Sequence, residues 1–85
     1  MKVETSSRFR RRFKKLPQQI KEKASKLEDI FRAYPFDSRL GTHKLHGEKK
    51  DEWAWRIDYS YRVTFIFTAP DEVLYTNVGT HDEVY

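Results

Sequence analysis

The chain has 85 residues, with 17 Lys and Arg against 13 Asp and Glu and no cysteine. That length fits one domain, residues 1–85, with no room for a second, and the missing thiols exclude a disulfide scaffold and a thiolate zinc site. No apolar run approaches membrane-spanning length and Met1-Lys2-Val3-Glu4 lacks a leader's apolar stretch, so the chain is read as cytoplasmic, with no membrane partner.

In chain order, Lys2-Val3-Glu4 forms a short first strand. Ser6 or Ser7 then caps a helix in which Phe9, Phe13 and Leu16, at i, i+4 and i+7, share one face. Arg8, Arg10, Arg11, Arg12, Lys14 and Lys15 take its other sides, with no acid among them. Such a block suits a phosphate backbone, and equally a solvated helix face. Pro17 ends this helix and starts the next, whose apolar stripe is Ile20, Ala24, Leu27, Phe31 and Tyr34; Pro35 stops it. The two helices read as an αα-hairpin. Residues 35–51 read as a polar loop holding a short strand near His43-Lys44-Leu45.

From Glu52 the period becomes two. Trp53, Trp55 and Ile57 alternate with Ala54, Arg56 and Asp58; Val63, Phe65 and Phe67 alternate with Arg62, Thr64 and Ile66. A three-residue hairpin loop at Tyr59-Ser60-Tyr61 gathers the six large apolar residues on one face, setting Asp58 opposite Arg62 and Arg56 opposite Thr64. A four-residue loop at 69–72 then places Leu74, Thr76 and Val78 on the core face, and Tyr75 and Asn77 on the face of Arg56 and Arg62. The expected fold is α+β, βααβββ, with a two-helix hairpin on one face of a small antiparallel sheet. The other face stays open, as a binding surface or as an ordinary solvated sheet face.

Several segments resemble the RelE/ParE toxin superfamily. Ser7-Arg8-Phe9 with Phe13-Lys14-Lys15-Leu16-Pro17 is similar to its opening. His43-Lys44-Leu45-His46-Gly47 resembles the segment before its central strands. Trp55 to Val63 resembles its hairpin, and Val78-Gly79-Thr80-His81-Asp82-Glu83-Val84-Tyr85 resembles its ending. The resemblance spans nearly the whole chain, through the order and spacing of these segments. It implies the βααβββ architecture and a cognate antitoxin partner. It implies one of two activities: metal-independent cleavage of mRNA in the ribosome, as in RelE, YoeB and YafQ relatives, or inhibition of DNA gyrase, as in ParE relatives. A non-toxic relative that only binds antitoxin or RNA is the third reading.

Cleavage of this kind uses the ribose 2′-hydroxyl as nucleophile, so it needs a base, an acid and cations to stabilise the phosphorane. By resemblance, Arg62 matches the hairpin arginine and stabilises the phosphate. Its bland alternative is an ion pair with Asp58. His81 matches a terminal histidine and is the first acid/base choice; His43, with His46 two residues on, is the second. Tyr85 matches a terminal tyrosine that stacks on or polarises substrate. Arg56 is expected on a second phosphate, and Arg8, Arg11, Arg12, Lys15 and Asn77 on RNA. Asn77 stands where YafQ relatives carry an arginine, and Ser60 and Tyr61 where they carry Asp and Trp. No cofactor is implied, and the histidine spacing does not fit a metal site.

Overall fold

The computed structural model describes residues 1–49 and 51–85. Strand β1 (Lys2–Thr5) leads into helices α1 (Ser7–Lys14) and α2 (Gln18–Ala33). Strands β2 (His43–Lys44), β3 (Trp53–Arg56), β4 (Tyr61–Ala69) and β5 (Glu72–Thr80) follow, and a single helical turn, α3 (His81–Val84), closes the chain. The Ser6 hydroxyl accepts the Phe9 N–H at 3.0 Å and so caps α1. Pro17 sits at the start of α2, where its missing N–H has no cost.

The five strands run in the order β1-β5-β4-β3-β2. The expected βααβββ order is present, with β1 added parallel to β5 (Val3 beside Val73) and β2 antiparallel to β3. The sheet is therefore mixed. Both helices lie over one face. Phe31 is fully buried at its centre, its ring 5.0 Å from Phe65, 5.7 Å from Tyr75 and 5.8 Å from Trp55.

The register differs from expectation in two places. Trp55 pairs with Val63 and Arg56 with Arg62, a slip of two residues that keeps every side chain on its expected face. Asp58 causes the slip. Its carboxylate accepts the N–H groups of Ser60 at 2.9 Å and Tyr61 at 2.8 Å, which makes residues 57–60 the turn. In the second hairpin, Ala69 pairs with Glu72 across a Pro70-Asp71 tip, and the register shifts between Thr64 and Phe65. Val78 stays opposite Val63, but Tyr75 now opposes Phe65 and turns into the core. Leu74 and Thr76 swing to the other face. A bulge lets Val73, Tyr75 and Val78, whose spacing breaks strict alternation, all face the core.

The second face is not open throughout. Ala54, Thr64 and Asn77 are buried, and α3 packs on β4 and β5 above them. The Thr64 and Thr76 hydroxyls are 2.8 Å apart, and Thr76 donates to the Glu52 carboxylate at 2.8 Å.

Candidate functional site

The last turn of the chain organises this face. His81 N–H donates to the Ser60 carbonyl at 3.0 Å, tying α3 to the β3–β4 hairpin. At its other end, Lys49 Nζ donates to the Val84 carbonyl at 2.6 Å. Tyr85, the last residue, is part of the turn: its N–H donates to the His81 carbonyl at 3.0 Å. Gly79 lies beneath, where a Cβ would stand 2.8 Å from Glu83 Oε1 and 3.2 Å from the Glu83 Cβ, so a larger residue would push the Glu83 side chain aside.

Two of the expected catalytic residues, His43 and His81, meet a third, Tyr85, and the fourth, Arg62, stands beside it. The Tyr85 ring lies edge-on to His81, with centroids 4.4 Å apart, and its hydroxyl is 3.3 Å from His43 Nε2. His43 Nδ1 is 3.0 Å from the Gly41 carbonyl. A carbonyl can only accept, so this contact places the proton on Nδ1 and leaves Nε2 of the neutral ring to accept from the tyrosine. Burial raises the Tyr85 pKa, against the opposing pull of the nearby Arg62 guanidinium, and keeps the hydroxyl protonated at neutral pH. His81 Nδ1 lies 3.4 Å from the Asp82 carboxylate. His46 lines the adjoining cleft with Leu45, Glu48, Lys49 and Tyr85.

Arg62 makes no ion pair with Asp58. Its Nη1 donates to the carbonyls of Asp58 at 2.7 Å and Tyr61 at 3.2 Å. Directly across the strands stands Arg56, whose guanidinium rests on Gly41; a Cβ there would be 2.7 Å from Arg56 Cζ. Like charges directly opposite one another destabilise a sheet. Here the Arg62 guanidinium is held by backbone carbonyls and that of Arg56 packs over Gly41, and among the described residues neither forms a salt bridge with a carboxylate. Unpaired with acids and lining one cleft, they suit an anion.

The basic residues of α1 open on a second part of the same surface. Arg8, Arg11, Arg12 and Lys15 line a cleft of about 450 Å³ with Lys49, Asn77 and Glu83. Asn77 is a largely buried part of this lining: its Oδ1 accepts from Arg12 Nη1 at 3.0 Å and from Val78 N–H at 2.9 Å, which aims the arginine. Lys49 lines both this cleft and the one beside Tyr85, joining the two. Sequence reasoning missed Lys49, Gly41 and Glu83. Thr80 and Glu83 carried a legible signal, because a threonine followed three residues later by glutamate is a helix-start pattern. Lys49 carried none.

This order, an N-terminal strand, two helices and then strands completing a five-stranded mixed sheet, is a RelE-like fold, shared with solved toxin structures. The YafQ structure from E. coli superposes with a TM-score of 0.81 at 15% identity, covering 98% of this chain and 96% of that one. A YoeB/ParE toxin from Agrobacterium tumefaciens gives 0.79 at 16% identity, over 95% and 99%. The archaeal RelE–RelB complex from Pyrococcus horikoshii gives 0.73 at 18%, over 93% and 92%. No family model matches the sequence, and no curated protein matches it. The likeness is therefore one of fold, carried by nearly the full length of each chain.

Proposed function

We propose that the chain is the toxin of a toxin–antitoxin pair and cuts mRNA on the bacterial ribosome, in the cytoplasm. One observation carries this reading: His43 and His81 flank the Tyr85 ring, with Arg62 and its cross-strand neighbour Arg56 beside them. His43 Nε2 takes the proton of a ribose 2′-hydroxyl, and the oxygen attacks the adjacent phosphorus. The bond from phosphorus to the 5′-oxygen breaks, leaving a 2′,3′-cyclic phosphate, and protonated His81 supplies the proton to the leaving oxygen. Arg62 stabilises the charged phosphorane, and the Tyr85 hydroxyl donates to a phosphate oxygen once substrate displaces it from His43. The α1 cleft docks on RNA, with affinity that falls steeply with salt.

The E. coli DinJ–YafQ and Mycobacterium tuberculosis RelBE2 structures are toxin–antitoxin complexes. By analogy, this chain takes an antitoxin whose acidic, partly disordered segment covers the α1 cleft until it is removed.

The test is a translating bacterial extract with mRNA ends mapped. Wild type is expected to cut within codons. Arg62→Ala should lower the rate about 10²- to 10³-fold, and His43→Ala or His81→Ala about 10²- to 10⁴-fold. Intact mRNA together with blocked DNA supercoiling would overturn the nuclease reading in favour of gyrase inhibition.

A further inference from the structure

Every residue of the α1 cleft that carries charge is basic except Glu83. The smaller cleft alongside, lined by Arg12, Lys15, Tyr61 and Gly79, again has Glu83 as its one acid. A carboxylate there repels the phosphates that the arginines attract. Its hydrogen bonds explain its presence. Glu83 Oε1 accepts the Thr80 N–H at 2.7 Å, which closes one half of a capping box on α3. Hydrogen bonds from Thr80 hold its carboxyl below the usual carboxylate range, so the charge is present at neutral pH.

Helix α3 has four residues and cannot stand by itself, because one turn does not repay the cost of nucleation. It stands through burial of Val84 against the sheet and through its end contacts: Glu83 and the Ser60 carbonyl at the start, and Lys49 Nζ at the Val84 carbonyl. His81 opens the turn and Tyr85 follows it, four positions apart and so on one side. Whatever fixes the first turn therefore fixes both side chains against His43 and Arg62.

We infer that Glu83 is a positioning residue: it sets His81 and Tyr85 in place through the Thr80 N–H, at the cost of weaker RNA binding. The inference rests on the nuclease reading of the same site. It makes turnover and affinity move in opposite directions, which a purely structural role does not.

Three substitutions separate charge from position. Glu83→Gln removes the charge and keeps an acceptor oxygen; Glu83→Ala removes both. Gly79→Ala keeps the charge and drives the Glu83 side chain away, since the new Cβ would stand 2.8 Å from Oε1 and 3.2 Å from the Glu83 Cβ. Binding of a short single-stranded RNA is read by fluorescence anisotropy at fixed salt, and turnover by cleavage in the translating extract. Glu83→Gln should bind about two- to fivefold more tightly than wild type, with turnover within a few-fold of it. Glu83→Ala should bind as tightly as Glu83→Gln and turn over about 10- to 100-fold more slowly. Gly79→Ala should lose turnover without gaining affinity. If it does not fold, the two Glu83 variants decide alone.

Glu83→Ala turning over like wild type would overturn the inference, as would weaker RNA binding by either Glu83 variant. Wild type that leaves mRNA intact would sink the nuclease reading instead. The ring resonances of His81 and Tyr85 then decide the positioning: they should move in Glu83→Ala and stay in place in Glu83→Gln, and resonances unmoved in both would refute it.

Discussion

The helix-covered face of the sheet buries Trp55, Phe65 and Tyr75 around Phe31, each ring meeting several others. The opposite face sets Arg56 across from Arg62 and covers Thr64 and Asn77 with one short turn, held by hydrogen bonds from Lys49 Nζ to the Val84 carbonyl and from His81 N–H to the Ser60 carbonyl. On the first face many interchangeable contacts share the burden, so the loss of any ring is felt as stability. On the second, each contact fixes one atom of the proposed site, and its loss is expected to be felt as chemistry. The division of labour between the faces can be broken or sharpened by substitution.

The largest expected effect is on the helix-covered face. Phe31 touches three aromatic rings and is fully buried, so Phe31→Ala should cost about 3–5 kcal/mol of unfolding free energy. Urea denaturation measures it. A loss below about 1 kcal/mol would mean that the core repacks and that the rings are not the main support.

A smaller effect of opposite sign is expected across the sheet. Arg56→Ala removes one of two like charges placed directly opposite, and should raise stability by about 0.2–1 kcal/mol. The same variant should weaken binding of single-stranded RNA and lower the slope of log affinity against log salt by about 0.7, the value for one phosphate fewer neutralised. Lower stability with an unchanged salt slope would place Arg56 among the structural residues and remove it from the RNA surface.

The same contrast governs how much could be read from sequence. The αα-hairpin, the strand periods and the buried Phe31, Trp55, Phe65 and Val63 follow from apolar spacing, because burial is proportional to area and does not depend on exact partners. The pairing register did not follow. It turned on Asp58 using its side chain to make a turn, and on a bulge that spacing alone does not locate. The proposed site residues Arg62, His43, His81 and Tyr85 came from the ordered segments that resemble a family. Their supports were harder to see. Gly41 and Gly79 matter for where a Cβ would collide, and Lys49 for a bond to a carbonyl 35 residues away. Such contacts exist only once the chain has folded.

The least perturbing test lies inside the core. The Tyr75 hydroxyl and the Trp55 indole N–H are buried, and neither has a hydrogen-bond partner among the described residues. Leaving such a group unpaired costs free energy that an apolar replacement of the same shape recovers. Tyr75→Phe should therefore change stability at neutral pH by less than about 1 kcal/mol, with a gain the expected sign. The pH dependence is more diagnostic. Burial raises the Tyr75 pKa above its ordinary value, so the folded chain keeps a proton that the unfolded chain releases near pH 10. Stability from this group is complete below about pH 10 and is lost as the pH climbs from there towards the folded-state pKa. Thermal unfolding followed from pH 7 to 11 should show a steeper alkaline decline in wild type than in Tyr75→Phe. Parallel curves would mean that the hydroxyl finds a partner or solvent, and that this core is wetter than its packing implies.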